Sequence, residues 1–157
     1  IAGSVARNEV VKIKFEVDIN PPAYAAFEHK YRLLPAPYEV KIYDMPSLFA
    51  GKIHAVICRA WQSRIKGRDL YDYVFYLSRG ISVNQKHLRE RLIQSGFIEE
   101  NAQCTLPEIK KMLYNRFDSI DIAQAKRDVE PFIHDTSLLN IWSADFFKQI
   151  TEGLTAS

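Results

Sequence analysis

Residues 66–77 read KGRDLYDYVFYL and set Asp69 and Asp72 three positions apart, directly behind Lys66 and Arg68. Carboxylates at that spacing share one face of a helix with Tyr73 and Tyr76, while Leu70, Val74 and Leu77 form the expected buried stripe. Asp69 falls in the first turn, where the helix dipole favours a negative charge, and a local ion pair with Arg68 or Lys66 accounts for a second acid. Each residue singly has a structural explanation. The set also has the composition of a site that meets a metal ion or a phosphate. Lys52 is the second anomaly. On a helical wheel it lies between Leu48 and Val56, inside an apolar row, and Arg59 projects in nearly the same direction seven residues on. Two readings stand: a lysine snorkelling from the end of a stripe, or a cation held over a cleft to neutralise phosphate oxygens. A third pair, Glu16 and Asp18, alternates with apolar neighbours and would sit about 7 Å apart on one strand face. Lys12 and Lys14 continue that row. A solvated sheet face explains it, as does a strand whose carboxylates hold a divalent metal near a phosphate.

Several elements must position these residues. Val11, Ile13, Phe15, Val17 and Ile19 alternate with charged residues, which predicts a strand over residues 10–19, stopped by Asn20-Pro21-Pro22. A shorter strand is expected over residues 38–43, and residues 23–34 fit a loop, a short helix or another strand. Asp44 can cap a helix with Pro46 in its first turn and the apolar row Leu48, Phe49, Ile53, Val56, Ile57, Ala60. Further helices are expected over 68–78, ending near Gly80, and over 84–94, stopped by Gly96. Thr105 and Glu108 form a capping box for a fourth, with Ile109, Met112, Leu113 and Phe117 inside. A fifth covers 121–133, with Val129 and Phe132 apolar and Pro131 bending or ending it. Ser143 caps a last one carrying Phe146, Phe147, Ile150 and Leu154. The class is therefore α+β: two or three N-terminal strands followed by about six helices. One domain is expected, with a strand-rich part over 1–45 and a helical part over 46–157.

The composition bounds the function. The chain has 157 residues, 47% apolar and 25% charged, with a formal net charge of +2. That charge is too small to argue for nucleic acid or membrane by itself. No apolar run spans a bilayer and no signal-peptide pattern is present. Cys58 and Cys104 lack metal spacing and read as reduced residues of a cytoplasmic protein.

The order VKIKFEVDINPP, SLFAGKIHAVICR, KGRDLYDYVFYL, with DVEPFIHD and LLNIWSADFF behind them, resembles the AbiEii/AbiGii family over residues 10–150. These are nucleotidyltransferase toxins of abortive-infection and type IV toxin–antitoxin systems. The resemblance implies that Lys52 is the motif lysine near the nucleotide phosphates and Asp69 the motif aspartate, with Arg68 and Asp72 as motif neighbours. Glu16 or Asp18 takes the third acidic position and is the tentative metal ligand, and Arg59 joins Lys52 and Arg68 as a phosphate contact. It implies a nucleoside triphosphate substrate such as GTP, Mg²⁺ or Mn²⁺, an RNA acceptor and a cognate antitoxin, with no membrane partner. The superfamily's Gly-Ser turn and Asp-x-Asp strand has only a formal match here, Gly3-Ser4 with eleven residues before Glu16-Val17-Asp18. Those residues run straight into the strand and leave no room for a helix. The first motif is therefore expected upstream of Ile1, which makes this the C-terminal portion of such an enzyme, inactive alone. The alternative is a non-catalytic remnant that binds RNA or an antitoxin through helical cations such as Lys86, Arg89, Arg91, Lys110, Lys111 and Arg116. Acidic neighbours dilute those, and a solvated surface explains them more simply.

Overall fold

A computed structural model describes residues 14–59 and 66–157. Phe27–Arg32 (β1) and Tyr38–Tyr43 (β2) pair antiparallel, from Phe27 opposite Tyr43 to Arg32 opposite Tyr38. β2 lies where the sequence predicts it, and β1 resolves the open segment 23–34 as a strand. Phe27 and Tyr43 stack across the pair at 4.7 Å between ring centroids, the kind of cross-strand contact that stabilises a two-stranded ribbon. The strand expected over residues 10–19 is absent from the described part of that range. Residues 10–13 lie outside the described residues, and 14–19 carry no strand. Phe15, Val17 and Ile19 are 80–94% exposed. Alternation makes a strand only where a partner takes up the backbone hydrogen bonds and covers the apolar face. Among the described residues nothing does either.

The helices start and stop largely where their caps dictate. Asp44 accepts the Ser47 amide at 2.9 Å and opens α1, Met45–Cys58, with Pro46 in the first turn. α2 covers Gly67–Ser78, and α3 covers Gln85–Gln94 behind the Asn84 cap. Gly80 and Gly96, with φ of 63° and 70°, turn the chain out of these two helices in the left-handed conformation glycine tolerates best. The Thr105–Glu108 capping box opens α4, Leu106–Ser119. α5, Ile122–Val129, is shorter than expected. Pro131 brings no N–H to continue the ladder, so Glu130–Phe132 closes as a 3-10 turn and leaves Phe132 85% exposed. α6, Ala144–Thr151, follows its Ser143 cap, and Leu154 is buried just beyond its end.

The helical core forms around α1, which packs against α2, α3 and α4. Tyr76, Phe49, Tyr73, Phe117 and Phe147 follow one another at centroid distances of 4.9–5.8 Å, an aromatic chain joining α2, α1, α4 and α6. The Tyr73 hydroxyl donates to Thr151 Oγ1 at 2.7 Å, because that hydroxyl already donates to the Phe147 carbonyl. The buried face of α2 is therefore Leu70, Tyr73 and Tyr76, with Val74 and Leu77 only partly buried. Leu48 also departs from the expected row and is exposed.

Candidate functional site

Exposure of Leu48 redraws the face of α1. Leu48, Lys52, Ala55 and Arg59 recur at helical spacing and border one cleft. Opposite them runs α2. Lys52 Nζ lies 2.5 Å from Asp72 Oδ2, and Arg59 Nη1 donates to Asp69 Oδ2 at 2.7 Å. The carboxylates thus pair with cations of the preceding helix, not with Lys66 or Arg68 as a local ion pair would have it. The two pairs differ in character. Lys52 and Asp72 are both about one-third exposed, whereas the Asp69 side chain is 2% exposed and leans on Arg59. A buried carboxylate needs such a partner.

A third helix supplies what the sequence reading left on the surface. Arg91 of α3 also borders the cleft, which encloses about 230 Å³. Its Nε donates to His87 Nε2 at 3.0 Å, and the His87 Nδ1 lies 2.8 Å from the Ala23 carbonyl. A carbonyl only accepts, so His87 carries its proton on Nδ1 and presents a bare Nε2 to Arg91. Burial, with the Arg91 guanidinium adding to it, holds the His87 pKa below its ordinary value and favours this neutral form. Gly51 of α1 faces the same guanidinium: a Cβ there would lie 3.6 Å from Arg91 Cζ. Arg116 of α4 is likewise no solvated cation. It donates to the carbonyls of Val56 at 3.1 Å and Arg59 at 2.6 Å, closing the C-terminal end of α1 where a positive charge is favoured. His54, on α1 between Lys52 and Arg59, has a buried Nε2 without a hydrogen-bond partner among the described residues. Burial first, then the Arg91 and Arg59 charges, push its pKa down to about 4.

Arg68 goes elsewhere. Gly67 lets α5 approach so closely that a Cβ at that position would sit 1.9 Å from the Ala125 carbonyl oxygen. With α5 there, Arg68 lies on the wall of a second cavity beside Lys66, on the side of α2 away from Lys52. Glu16 pairs with Lys14, and Asp18 accepts the Asn20 amide at 3.0 Å. Neither has a described contact with Lys52 or Asp69, although Gln94 binds the Asn20 carbonyl one helical turn beyond Arg91. Among the described residues no group of three or more His, Cys, Asp or Glu could hold a metal ion. Asp69 and Asp72 are both engaged by cations, so these residues do not by themselves fit the Mg²⁺ or Mn²⁺ that the resemblance implies.

The geometry is that of an α+β protein with a cationic cleft where three helices meet a β-ribbon. The family model of the nucleotidyl transferase AbiEii toxins, type IV toxin–antitoxin systems, matches residues 3–149. The chain belongs to that family. No curated protein and no solved structure matches it. No helix among the described residues is long and apolar enough to cross a membrane.

Proposed function

We propose that this chain carries the phosphate-binding side of a nucleotidyltransferase site, serving transfer of a nucleotidyl group from a nucleoside triphosphate such as GTP to an RNA acceptor. The observation that carries this reading is the convergence of Lys52, Arg59 and Arg91 on one cleft, where Asp69 is the one carboxylate among the described lining residues. A triphosphate entering there takes the place of Asp72 on Lys52, an exchange that costs little because that pair is part-exposed. Arg59 stays anchored to Asp69 through Nη1 and keeps its other N–H groups for phosphate oxygens. Arg91 is held at Nε by His87 and offers its terminal nitrogens. Asp69 and His87 thus orient the cations that would neutralise charge developing on the transferred phosphate. A divalent ion belongs to this reaction class and supplies further charge neutralisation when bound. A cognate antitoxin belongs to the proposal by family membership.

Calorimetric titration of the whole chain with GTP, with and without Mg²⁺, tests the reading. Lys52→Ala and Arg91→Ala should each weaken binding about tenfold, the value of one charge-assisted phosphate contact. Asp72→Asn removes the competitor for Lys52 and should tighten binding about threefold. GTP affinity that ignores Lys52→Ala, or an absence of GTP binding in the parent chain, overturns it.

A further inference from the structure

The opposite face of α2 has a different composition. Arg68, Tyr71, Phe75 and Arg79 follow one another at steps of three, four and four residues, so they line one helical face from its first turn to its C-cap. Tyr71 is 41% and Phe75 38% exposed, and the Arg79 guanidinium lies over the Phe75 ring at 4.5 Å. Between this face and α5 opens a cavity of about 510 Å³, lined by Lys66, Arg68, Tyr71 and the exposed Phe132. That volume lies in the range of sites for small organic ligands. Tyr71 also borders a neighbouring cavity of about 260 Å³ that carries Phe75 and Ile141. No ion pair within the described residues engages Lys66 or Arg68. Among the described residues of the wall the one acid is Asp128, which accepts a hydrogen bond from Gln124 at 2.5 Å.

Cations interleaved with exposed aromatic rings in a groove are the equipment that single-stranded nucleic acid needs. The rings stack on bases and the cations follow the phosphates. We infer that this groove is a subsite for single-stranded RNA, its backbone on Lys66 and Arg68 and its bases against Phe132 and Tyr71. The span from Arg68 to Arg79 is about 16 Å at helical rise, enough for a short stretch of strand. The inference deepens the nucleotidyl-transfer reading by giving the acceptor its own place: α2 turns Asp69 and Asp72 toward the triphosphate cleft and Arg68 toward the acceptor.

Fluorescence anisotropy of the whole chain with a short labelled single-stranded RNA tests the subsite, and circular dichroism verifies the fold of each variant. Phe132→Ala and Arg68→Ala change exposed side chains and should each weaken RNA binding about tenfold while leaving GTP titration within about twofold. Arg68→Ala should also flatten the dependence of log affinity on log salt by about 0.7, the loss of one phosphate contact, whereas Phe132→Ala should leave the slope unchanged. RNA bound equally by both variants, or not bound by the parent chain, overturns the inference. Self-association that Phe132→Ala abolishes without any change in RNA affinity assigns the groove to a second copy and also overturns it. RNA binding lost in both variants, in a chain that takes no GTP, upholds the subsite and overturns the nucleotidyl-transfer reading instead.

Discussion

Asp69→Asn is nearly isosteric and removes one charge from a site where the side chain is 2% exposed. The substitution strips the charge from the acceptor of the 2.7 Å hydrogen bond donated by Arg59, and bonds to charged groups are worth roughly 1.5–3 kcal/mol. Arg59 is 45% exposed and can turn to water, so the lower end of that range applies. The carboxylate also sits in the first turn of α2, where the dipole adds about 0.5 kcal/mol. The sum is about 2 kcal/mol. For a domain of this size that corresponds to a Tm lower by about 4–8 °C, read by calorimetry or circular dichroism. An opposing contribution exists, because asparagine escapes the desolvation cost of a buried carboxylate. A double-mutant cycle with Arg59→Met removes that ambiguity, since it isolates the pair from the solvation of either member. The expected coupling is about 1–2 kcal/mol. A coupling below about 0.3 kcal/mol would refute the assignment of Arg59 as the partner that makes burial of Asp69 tolerable.

Two further outcomes are expected. Tyr73→Phe leaves Thr151 without its donor in a fully buried site and should cost about 1 kcal/mol, a Tm drop of about 2–4 °C without effect on GTP titration. His54 has a folded pKa of about 4 against an ordinary 6.5. As pH falls below 6.5 the unfolded chain takes up a proton that the folded one refuses, so stability present above 6.5 is lost on the way down to about 4. Solvent screening of this part-exposed ring holds the loss attributable to His54 to about 1–2 kcal/mol. Denaturant midpoints of His54→Gln at pH 7 and pH 4.5 should therefore lie closer together than those of the parent chain.

The helix starts were legible because caps are local: Asp44, Asn84, Thr105 with Glu108, and Ser143 make bonds that span three residues. Over the described residues 14–19 the expected strand is absent, because a strand needs a partner and alternation alone does not provide one. In α1, Lys52 was read as a cation inside an apolar row, but Leu48 faces the cleft beside it and not the core, so that row does not run where the wheel put it. Asp69 was legible as an anomaly, but its partner Arg59 was not, because the pairing depends on how α1 and α2 pack. Arg91 and Arg116 looked like solvated cations because their acceptors, His87 Nε2 and the carbonyls of Val56 and Arg59, are set by how helices pack and by how the chain enters the ribbon at Ala23. A hint was available: His87 and Arg91 are four residues apart, on the same side as Leu88 and Leu92, where an unpartnered histidine is uncommon.

Gly67 ties the two faces of α2 to one mechanical reference. The Ala125 carbonyl occupies the room a side chain would need, so any substitution displaces α5 or rotates the first turn of α2. Either movement swings Asp69 and Arg68 together, because they follow Gly67 within that same turn. The cleft and the groove on the two faces of α2 therefore share a single zero point and cannot be re-aimed independently. In a saturation-mutagenesis map read out by fold stability, position 67 should appear as an intolerant column between the two exposed, permissive positions 66 and 68.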